Sequence, residues 1–305
     1  MRCSTLAMYQ QNVNNISNAM AGVNHSHHQL TEGKKLLTPS DNPANASQAL
    51  SCMHTLTGIK QYDIAREYAS NTLGYEDSAL NGMSGLLTNN LIEKIVAAGN
   101  GTYSTEKKTI LANELQNIRD SLINLANSKN SHGRYIFSGY KTLSQPFSSV
   151  EGSYHGGNQA ITQWIDDGLE MQISHLGSEI FISEKHGNLF ERLSDTVAAL
   201  KDDAEDARET LSLVLQQMNQ SINYSMDSLG KVQTSVGTNL QMLERLGFNS
   251  DQNAILVIKN YQENIGSDDK SKIQLHSELF ITEQALQSSM LLFKSMKDIS
   301  LFNMI

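Results

Sequence analysis

Proline occurs only three times in the 305 residues, and two of these prolines, Pro39 and Pro43, stand four residues apart. Proline lacks a backbone donor and pushes the residue before it out of the α region, so we expect Thr38 and Asn42 to be non-helical. Asn42 then suits the N-cap of a helix that begins at Pro43. Upstream, Gly33 suits the left-handed end of a preceding helix. The sequence therefore predicts one long helix that ends near residue 32 and another that begins at residue 43.

The segment before this loop carries a heptad pattern of mostly apolar residues. They recur at alternating intervals of three and four residues, which is the spacing of a coiled-coil seam. The members are Leu6, Tyr9, Val13, Ile16, Met20, Val23, His27 and Leu30. Because this stripe is narrow and the rest of the segment is polar, we expect the helix to become ordered only against other helices.

A comparable stripe closes the chain, in a stretch from Ser267 to Ile305 without glycine or proline. Its members are Leu275, Leu279, Thr282, Leu286, Phe293 and Met296. Both terminal stripes lack a partner within their own segment. The simplest solution pairs the N-terminal helix with the C-terminal helix in an elongated rod.

The middle of the chain changes character twice. Residues 43–98 predict a helical stretch weakened by glycines, with a turn at 99–101 and another helix ending near 127–133. The expected inward positions of the first stretch are Leu50, Met53, Leu73, Leu80, Met83, Leu87, Leu91 and Ile95. From 134 to about 182 the chain is rich in glycine, serine and aromatic residues. Alternating runs there predict strands at 135–137, 162–165 and 169–173.

Helical spacing returns after this insertion, interrupted by an acidic connector at 202–206 and a break at 247–250. The predicted fold is therefore mainly α: an elongated antiparallel helical bundle or coiled coil from the N- and C-terminal parts, with a small central β-rich domain inserted. We divide it into an N-terminal assembly helix and loop, a first rod half, a β-rich insertion, a second rod half and a C-terminal assembly helix, at 1–42, 43–133, 134–183, 184–266 and 267–305.

Composition and charge exclude several classes of protein. A net charge of −9 argues against nucleic-acid binding, which needs lysine and arginine at phosphates. Cys3 and Cys52 are too few for a disulfide framework or a zinc site, and no run reaches the ~18 apolar residues of a membrane helix. The start lacks the apolar core of a cleaved secretory signal, which by itself indicates a cytoplasmic protein.

Metal binding and catalysis find no support in the sequence. His25 and His28 are helical neighbours, but no third ligand follows at a matching spacing. The residues Gly82-Met83-Ser84-Gly85 are one residue short of a nucleophile elbow and lie on a predicted helix. We therefore predict that the protein is not an enzyme and has no cofactor and no metal site.

Several segments together resemble the bacterial flagellar hook-associated protein 3 family, the hook–filament junction proteins. The matching segments are Met1–Thr5 with Met8-Tyr9, Gln29–Lys35, Pro39–Ala44, Ser47–Ala49, Gly133–Thr142, Gln284–Gln287 and Ser300–Asn303. The combination of the Gly-Arg-Tyr-Ile-Phe segment, the Pro-Ser-Asp-x-Pro loop and the Ser-Leu-Phe ending is specific. The resemblance covers most of residues 1–142 and about the last twenty residues.

This resemblance implies a structural flagellar adaptor on which filament assembly starts. Family members are secreted through the flagellar type III export channel without a cleaved signal, which replaces the cytoplasmic expectation. They form a ring at the hook–filament junction, between hook-associated protein 1 and the first flagellin. The implied partners also include a flagellar export chaperone and the export apparatus, with no nucleic acid and no membrane insertion.

The resemblance also implies which residues carry assembly. The terminal helices would form an axial α-helical core, with the β insertion facing outward. We expect the assembly seam to consist of the apolar members of the two terminal stripes. We expect a hinge loop at Pro39, Asp41, Asn42 and Pro43.

Three other readings compete with this one. A flagellin-type filament subunit would share the terminal coiled coil, although the hinge loop and the Ser-Leu-Phe-Asn-Met-Ile ending favour the junction family. The tyrosine, tryptophan and glycine content around 154–164 motivates an enzymatic or adhesive role for the β insertion. A cytoplasmic helical signalling protein is the third reading.

Overall fold

The computed structural model describes residues 2–99, 104–202 and 207–302, with side chains for residues 7–99, 104–202 and 209–296. Residues 100–101 of the predicted turn and residues 203–206 of the acidic connector lie outside the described residues. The chain divides into two compact units. One runs up to Lys60 and resumes at Ser250, and the other is Gln61–Asn249. Both unit boundaries fall inside helices, and the five-segment division stays a prediction.

The fold is mainly α, as the hydrophobic periodicity predicts. Long helices are joined in the middle of the chain by two small antiparallel sheets. The helices are α1 (Arg2–Glu32), α2 (Pro43–Gly85), α3 (Ile92–Ala98), α4 (Thr105–Ala126), α5 (Gly177–Phe181), α6 (Leu189–Lys201), α7 (Ala207–Ile265) and α8 (Asp269–Phe302). The strands are β1 (Thr162–Asp166), β2 (Leu169–Gln172), β3 (Ile182–Ser183) and β4 (Gly187–Asn188), and a π-helical turn spans Leu86–Leu91.

The glycine-weakened part of α2 behaves as predicted. A π-helical turn follows Gly85 directly, and such turns interrupt α-helices locally. A Cβ on Gly82 would lie 3.3 Å from Leu125 Cδ1, so the missing side chain lets α4 approach closely. Six of the eight expected inward positions are buried, whereas Leu50 and Met53 are 69% and 52% exposed, which makes that part of the prediction wrong.

Two sequence-based expectations about backbone structure are wrong. Helix α7 runs without interruption through Gly247, because one helical glycine costs only about 1 kcal/mol, which a helix of 59 residues tolerates. Residues 135–137 form no regular strand, since the chain turns back within a few residues and Tyr135 N–H donates to Thr142 O instead (2.8 Å). The other two strand predictions are confirmed by the antiparallel β1–β2 hairpin.

The core of the second unit is centred on Phe147. Its ring centroid lies 5.0 Å from that of Phe190, 5.2 Å from that of Tyr154 and 5.8 Å from that of Phe181. Offset and edge-on aromatic pairs at these distances add to the burial of apolar area. Gly177 lets α5 begin against this cluster, because a Cβ there would fall 2.5 Å from Phe147 Cε2.

Side chains of the long helices hold the β1–β2 hairpin from both sides. The buried guanidinium of Arg66 on α2 donates from Nη1 to the carbonyl oxygen of Ile165 on β1 (2.9 Å). Asn239 on α7 donates from Nδ2 to the carbonyl oxygen of Gln172 on β2 (3.1 Å). These two bonds tie the hairpin to α2 and to α7.

Candidate assembly surface

Helices α1 and α8 pack against each other in antiparallel orientation. Near the start of α1, the ring of Tyr9 lies 5.2 Å from that of Phe293, near the end of α8. Just beyond the end of α1, Lys35 Nζ donates to Gln274 Oε1 (3.1 Å) and to Glu278 Oε1 (3.0 Å), in the first turns of α8. The pairing of the N-terminal and C-terminal helices follows from these contacts.

The predicted stripe on α1 separates into two rows that differ in exposure. One row has a residue every seven positions at Tyr9, Ile16, Val23 and Leu30. Its last three members are half-buried, and Tyr9 is 55% exposed although its ring contacts Phe293. The other row continues through Val13, Met20 and His27, where all three side chains are exposed, and the side chain of Leu6 lies outside the described residues. The first row therefore packs within the unit, whereas the second row is exposed to solvent. We call Val13, Met20 and His27 the open row.

The predicted stripe on α8 lies on the least exposed face of that helix. Leu275 is buried, and the other members are half-buried, namely Leu279, Thr282, Leu286, Phe293 and Met296. Met296 accepts a hydrogen bond at Sδ from Asn12 Nδ2 of α1 (2.9 Å). The sequence pattern did not single out Asn12, because a polar residue between apolar ones carries no periodic signal.

A second apolar stripe follows the opposite face of α8. Ile273, Phe280 and Leu291 are 68%, 63% and 67% exposed, and Ile281 and Leu292 widen the apolar surface beside them. A helix that is apolar on more than one face is expected in the interior of a larger packing arrangement. In this unit the second stripe has no such cover among the described residues.

The loop after α1 and the end of α7 form a matched pair of helix ends. Gly33 and Gly266 both have positive φ, 65° and 66°. In each case the glycine N–H donates to a carbonyl of the last helical turn, from Gly33 to Leu30 O and from Gly266 to Glu263 O. The N–H of the following residue also donates back to the helix, which completes the Schellman pattern. The first of these helix ends is predicted from Gly33, whereas at the second only a segment boundary between 266 and 267 is predicted.

These two helix ends are joined to each other by the backbone. Lys35 N–H donates to Gly266 O (3.3 Å), and Leu36 N–H donates to Ile265 O (3.1 Å). Gln29 on α1 adds a bond from Nε2 to Lys35 O (2.6 Å). The chain leaving α1 is therefore anchored on the turn between α7 and α8.

The hinge loop has the local structure that its residues predict. The Asn42 side chain accepts from Asn45 N–H (3.1 Å), and α2 begins at Pro43. The carboxylate of Asp41 accepts from Leu37 N–H (2.9 Å), from Thr38 N–H (2.8 Å) and from the Thr38 hydroxyl (3.0 Å). This carboxylate fixes the turn between the two helices.

The same bonds explain the electrostatics of the loop. The hydrogen bond from Thr38 N–H is the largest of the effects that hold the pKa of Asp41 below its usual value. The Leu37 N–H, the Thr38 hydroxyl and the charge of His25 act in the same direction, against a smaller opposing effect of desolvation. Ionised Asp41 is the form that accepts all three bonds. Whether Pro39, Asp41, Asn42 and Pro43 act as a hinge during assembly stays a prediction.

Comparison with known proteins identifies the family. A sequence profile described as "Bacterial flagellin N-terminal helical region" matches residues 3–142. The flagellar hook-associated protein 3 of Escherichia coli is 35% identical over 319 residues, which covers 100% of this chain and 99% of the relative. The chain belongs to the flagellar hook-associated protein 3 family.

Solved structures agree with the family at the level of the fold. The crystal structure of FlgL from Xanthomonas campestris superposes with a TM-score of 0.61 at 17% identity, covering 69% of this chain and 99% of that one. The crystal structure entitled "flagellar junction protein FlgL" from Legionella pneumophila gives a TM-score of 0.58 at 16% identity, covering 72% and 100%. This member of the hook-associated protein 3 family therefore shares the mainly α fold with the solved FlgL structures.

Family membership makes the chain a flagellar protein with a structural role, and replaces the cytoplasmic expectation. Over the described residues, no helix is both long and apolar enough to cross a membrane. The same residues contain no group of three or more His, Cys, Asp and Glu side chains placed to hold a metal ion.

One buried polar arrangement escaped the sequence analysis altogether. Glu76 on α2 is fully buried, and its Oε1 accepts from both the backbone N–H of His175 (3.0 Å) and the His175 ring at Nδ1 (3.0 Å). The other ring nitrogen, Nε2, lies 3.3 Å from Ser235 Oγ on α7. The three residues are far apart in the chain of this family member, so no short sequence motif indicates that they are in contact.

Proposed function

We propose that the protein joins its neighbours at the hook–filament junction through the α1/α8 pair, and that this pair becomes fully covered only in the assembled flagellum. The structural role at the junction follows from family membership. The assignment of the joining surface to α1 and α8 is the step proposed here. Flagellin elongation would then start on the completed junction.

The uncovered apolar residues of the pair carry this proposal. Val13 and Met20 on α1 are 43% and 53% exposed, and Phe280 and Leu291 on α8 are 63% and 67% exposed. Burial of apolar area contributes roughly 25 cal/mol per Å². Covering several of these side chains on assembly would therefore stabilise the assembled state by several kcal/mol relative to the free protein. Contiguous exposed apolar stripes of this kind mark surfaces for other proteins.

Helical partners suit these stripes best. The open row on α1 keeps coiled-coil spacing, and a second helix packed there would complete the seam. We infer that the partners are helices of neighbouring copies in a ring, of hook-associated protein 1 on one side and of the first flagellin on the other. During export the same stripes would be shielded by the flagellar export chaperone and delivered to the export apparatus, with secretion independent of a cleaved signal peptide.

Deletion of the gene provides the first test. We expect cells with hooks but without filaments, and flagellin released as monomer into the medium. Complementation with the wild-type gene serves as the control. Normal filaments on the deletion strain would overturn the junction role.

A matched pair of substitutions on α8 tests the joining surface itself. Leu291→Asp places a charge on the exposed apolar stripe, whereas Leu291→Met keeps the same position apolar. Burial of an unpaired charge is strongly unfavourable, so we expect Leu291→Asp to be exported and not incorporated, and Leu291→Met to support motility. Equal motility of the two variants would place the joining surface elsewhere.

A further inference from the structure

The polar arrangement around His175 has the connectivity of an activated serine. Ser235 Oγ lies 3.3 Å from His175 Nε2, and His175 Nδ1 lies 3.0 Å from Glu76 Oε1. A hydroxyl next to an imidazole that is itself oriented by a carboxylate is the arrangement that raises the nucleophilicity of serine. From this geometry we propose that Ser235 is a covalent modification site for activated acyl esters, with His175 as the general base.

The supporting contacts fix which nitrogen of the ring faces the serine. Glu76 Oε1 accepts from the backbone N–H and from the ring Nδ1 of the same histidine, so the ring is held at two points. When Nδ1 carries the proton of a neutral imidazole, Nε2 is the acceptor and points at Ser235 Oγ. Glu76 is therefore a positioning residue that acts through His175.

Exposure increases from the carboxylate of Glu76 to the ring of His175 and then to the hydroxyl of Ser235, so the nucleophile is the most accessible of the three groups. Glu76 is 0% exposed and His175 is 6% exposed, while Ser235 is only partly buried, at the border between buried Val232 and exposed Thr234. The carboxylate and the ring are thus shielded from water, and the hydroxyl is the member nearest to the surface. Among the described residues Glu76 Oε2 has no hydrogen-bond partner, and a buried oxygen without a partner calls for an explanation.

The behaviour of Ser235 differs from that of other hydroxyls on the same helix. Thr234 and Thr238 donate to the carbonyl oxygen four residues earlier, at Gly230 and Thr234. Ser221 donates to the carbonyl oxygen of His186 (2.7 Å). Ser235 has an imidazole nitrogen in the place where these residues have a carbonyl, and a nitrogen base can remove the hydroxyl proton where a carbonyl cannot.

The chemical step balances without any further reactant beyond the ester. Ser235 Oγ attacks the carbonyl carbon of the ester, and its proton passes to His175 Nε2. The bond between the carbonyl carbon and the leaving alkoxide then breaks, and the alkoxide takes the proton from His175 Nε2. The product is an acylated Ser235 and a free alcohol.

The experiment uses the full-length folded protein and a fluorophosphonate probe, which reacts with activated serines, followed by proteolysis and mass spectrometry. We expect labelling at Ser235 at least ~100-fold faster than at Ser228, a serine of the same helix that is half-buried like Ser235, which is the size of a general-base contribution. Ser235→Ala should remove the label, and His175→Gln should slow labelling by a similar factor. The labelling rate should depend on one proton in the wild type and lose that dependence in His175→Gln, which a purely structural role would not produce.

Controls separate chemistry from folding. Circular dichroism and the thermal midpoint establish that each variant is folded, and Glu76→Gln keeps the shape of the side chain while it removes the charge. We expect Glu76→Gln to label more slowly than the wild type at an unchanged far-ultraviolet spectrum. Labelling of wild-type Ser235 no faster than of Ser228 would overturn the proposal, as would equal rates in the wild type and His175→Gln. Either result would leave the three residues with a structural role only.

Discussion

The backbone N–H of Lys35 donates to the carbonyl oxygen of Gly266, and a Cβ on Gly266 would come within 2.7 Å of Lys35 Cβ. This close approach lets the loop after α1 lie directly on the turn between α7 and α8. Lys35 also reaches Glu278 on α8 with its ammonium group (3.0 Å). One residue thus connects the ends of three helices in the first unit.

Substitution of the two helix-end glycines separates backbone strain from steric contact. Gly33→Ala has open space for the new Cβ and meets only the positive φ of 65°, so we expect a loss of about 1–2 kcal/mol. Gly266→Ala meets the same strain and the contact with Lys35, so we expect about 2–4 kcal/mol. The measurement is hydrogen exchange at the backbone amide of Leu36, which donates to Ile265 O at the end of α7. Equal effects of the two variants would mean that the close contact relaxes freely.

The Asp41 carboxylate makes the hinge loop sensitive to acid. Its pKa in the folded chain is lowered, mainly by the Thr38 N–H, so its contribution to stability is complete above the ordinary value of about 4 and is lost as the pH falls through the lower folded value. We expect the Leu37 and Thr38 amides to exchange faster in Asp41→Ala at neutral pH. Asp269→Ala, which removes another exposed carboxylate of the first unit, is the matched control. Unchanged exchange in Asp41→Ala would show that the prolines alone hold the turn.

Tyr154 makes the second unit sensitive to alkali. Burial raises the pKa of its hydroxyl to about 12, and the single proton of that hydroxyl lies within reach of two acceptors, Gly157 O (2.9 Å) and Phe137 O (3.2 Å). Because the unfolded chain loses this proton near pH 10, stability is complete below pH 10 and falls between about pH 10 and 12. Tyr154→Phe should cost about 1 kcal/mol at neutral pH and remove this part of the alkaline loss.

Urea unfolding between pH 8 and pH 11 provides the measurement. Tyr140→Phe serves as the control, since Tyr140 is 56% exposed. We expect the Tyr140→Phe curve to follow the wild type across this range. Parallel curves for the wild type and Tyr154→Phe would assign the alkaline sensitivity to other groups.

The parts of the fold that the sequence predicts correctly are those decided by local chemistry. Asn42 is restricted by the proline that follows it, and Gly33 lacks a Cβ and so can take the left-handed conformation that ends α1; each takes the expected conformation. The face of α8 that packs in the unit is also predicted, because the residues at regular heptad spacing are its least exposed ones.

The parts that the sequence does not predict depend on residues distant in the chain. Gly266 needs to be glycine because of Lys35, which is 231 positions away by their numbers. His175 finds Glu76 and Ser235 on two other elements. The break expected at Gly247 failed for a related reason, since the packing of a long helix outweighs a local preference.

The final prediction contrasts two substitutions that the heptad pattern treats alike. Val13 and Leu286 both belong to the predicted assembly seam, but Val13 is 43% exposed whereas Leu286 is half-buried on the α8 face toward α1. Val13→Asp should therefore destabilise the monomer by only about 1 kcal/mol, because its side chain is already 43% exposed and the charge can remain in contact with water. Leu286→Asp should weaken the α1/α8 pair in the monomer by several kcal/mol.

Both variants should still fail to form filaments, for different reasons. In Leu286→Asp the α1/α8 pair is not properly packed and cannot bind its neighbours. In Val13→Asp the pair is intact, but the open row carries a charge. Hydrogen exchange over α1 in the purified monomer, together with electron microscopy of cells, distinguishes the two cases. Filaments of normal number with Val13→Asp would mean that the open row faces solvent in the flagellum, so that α1 contributes only its inner row to assembly.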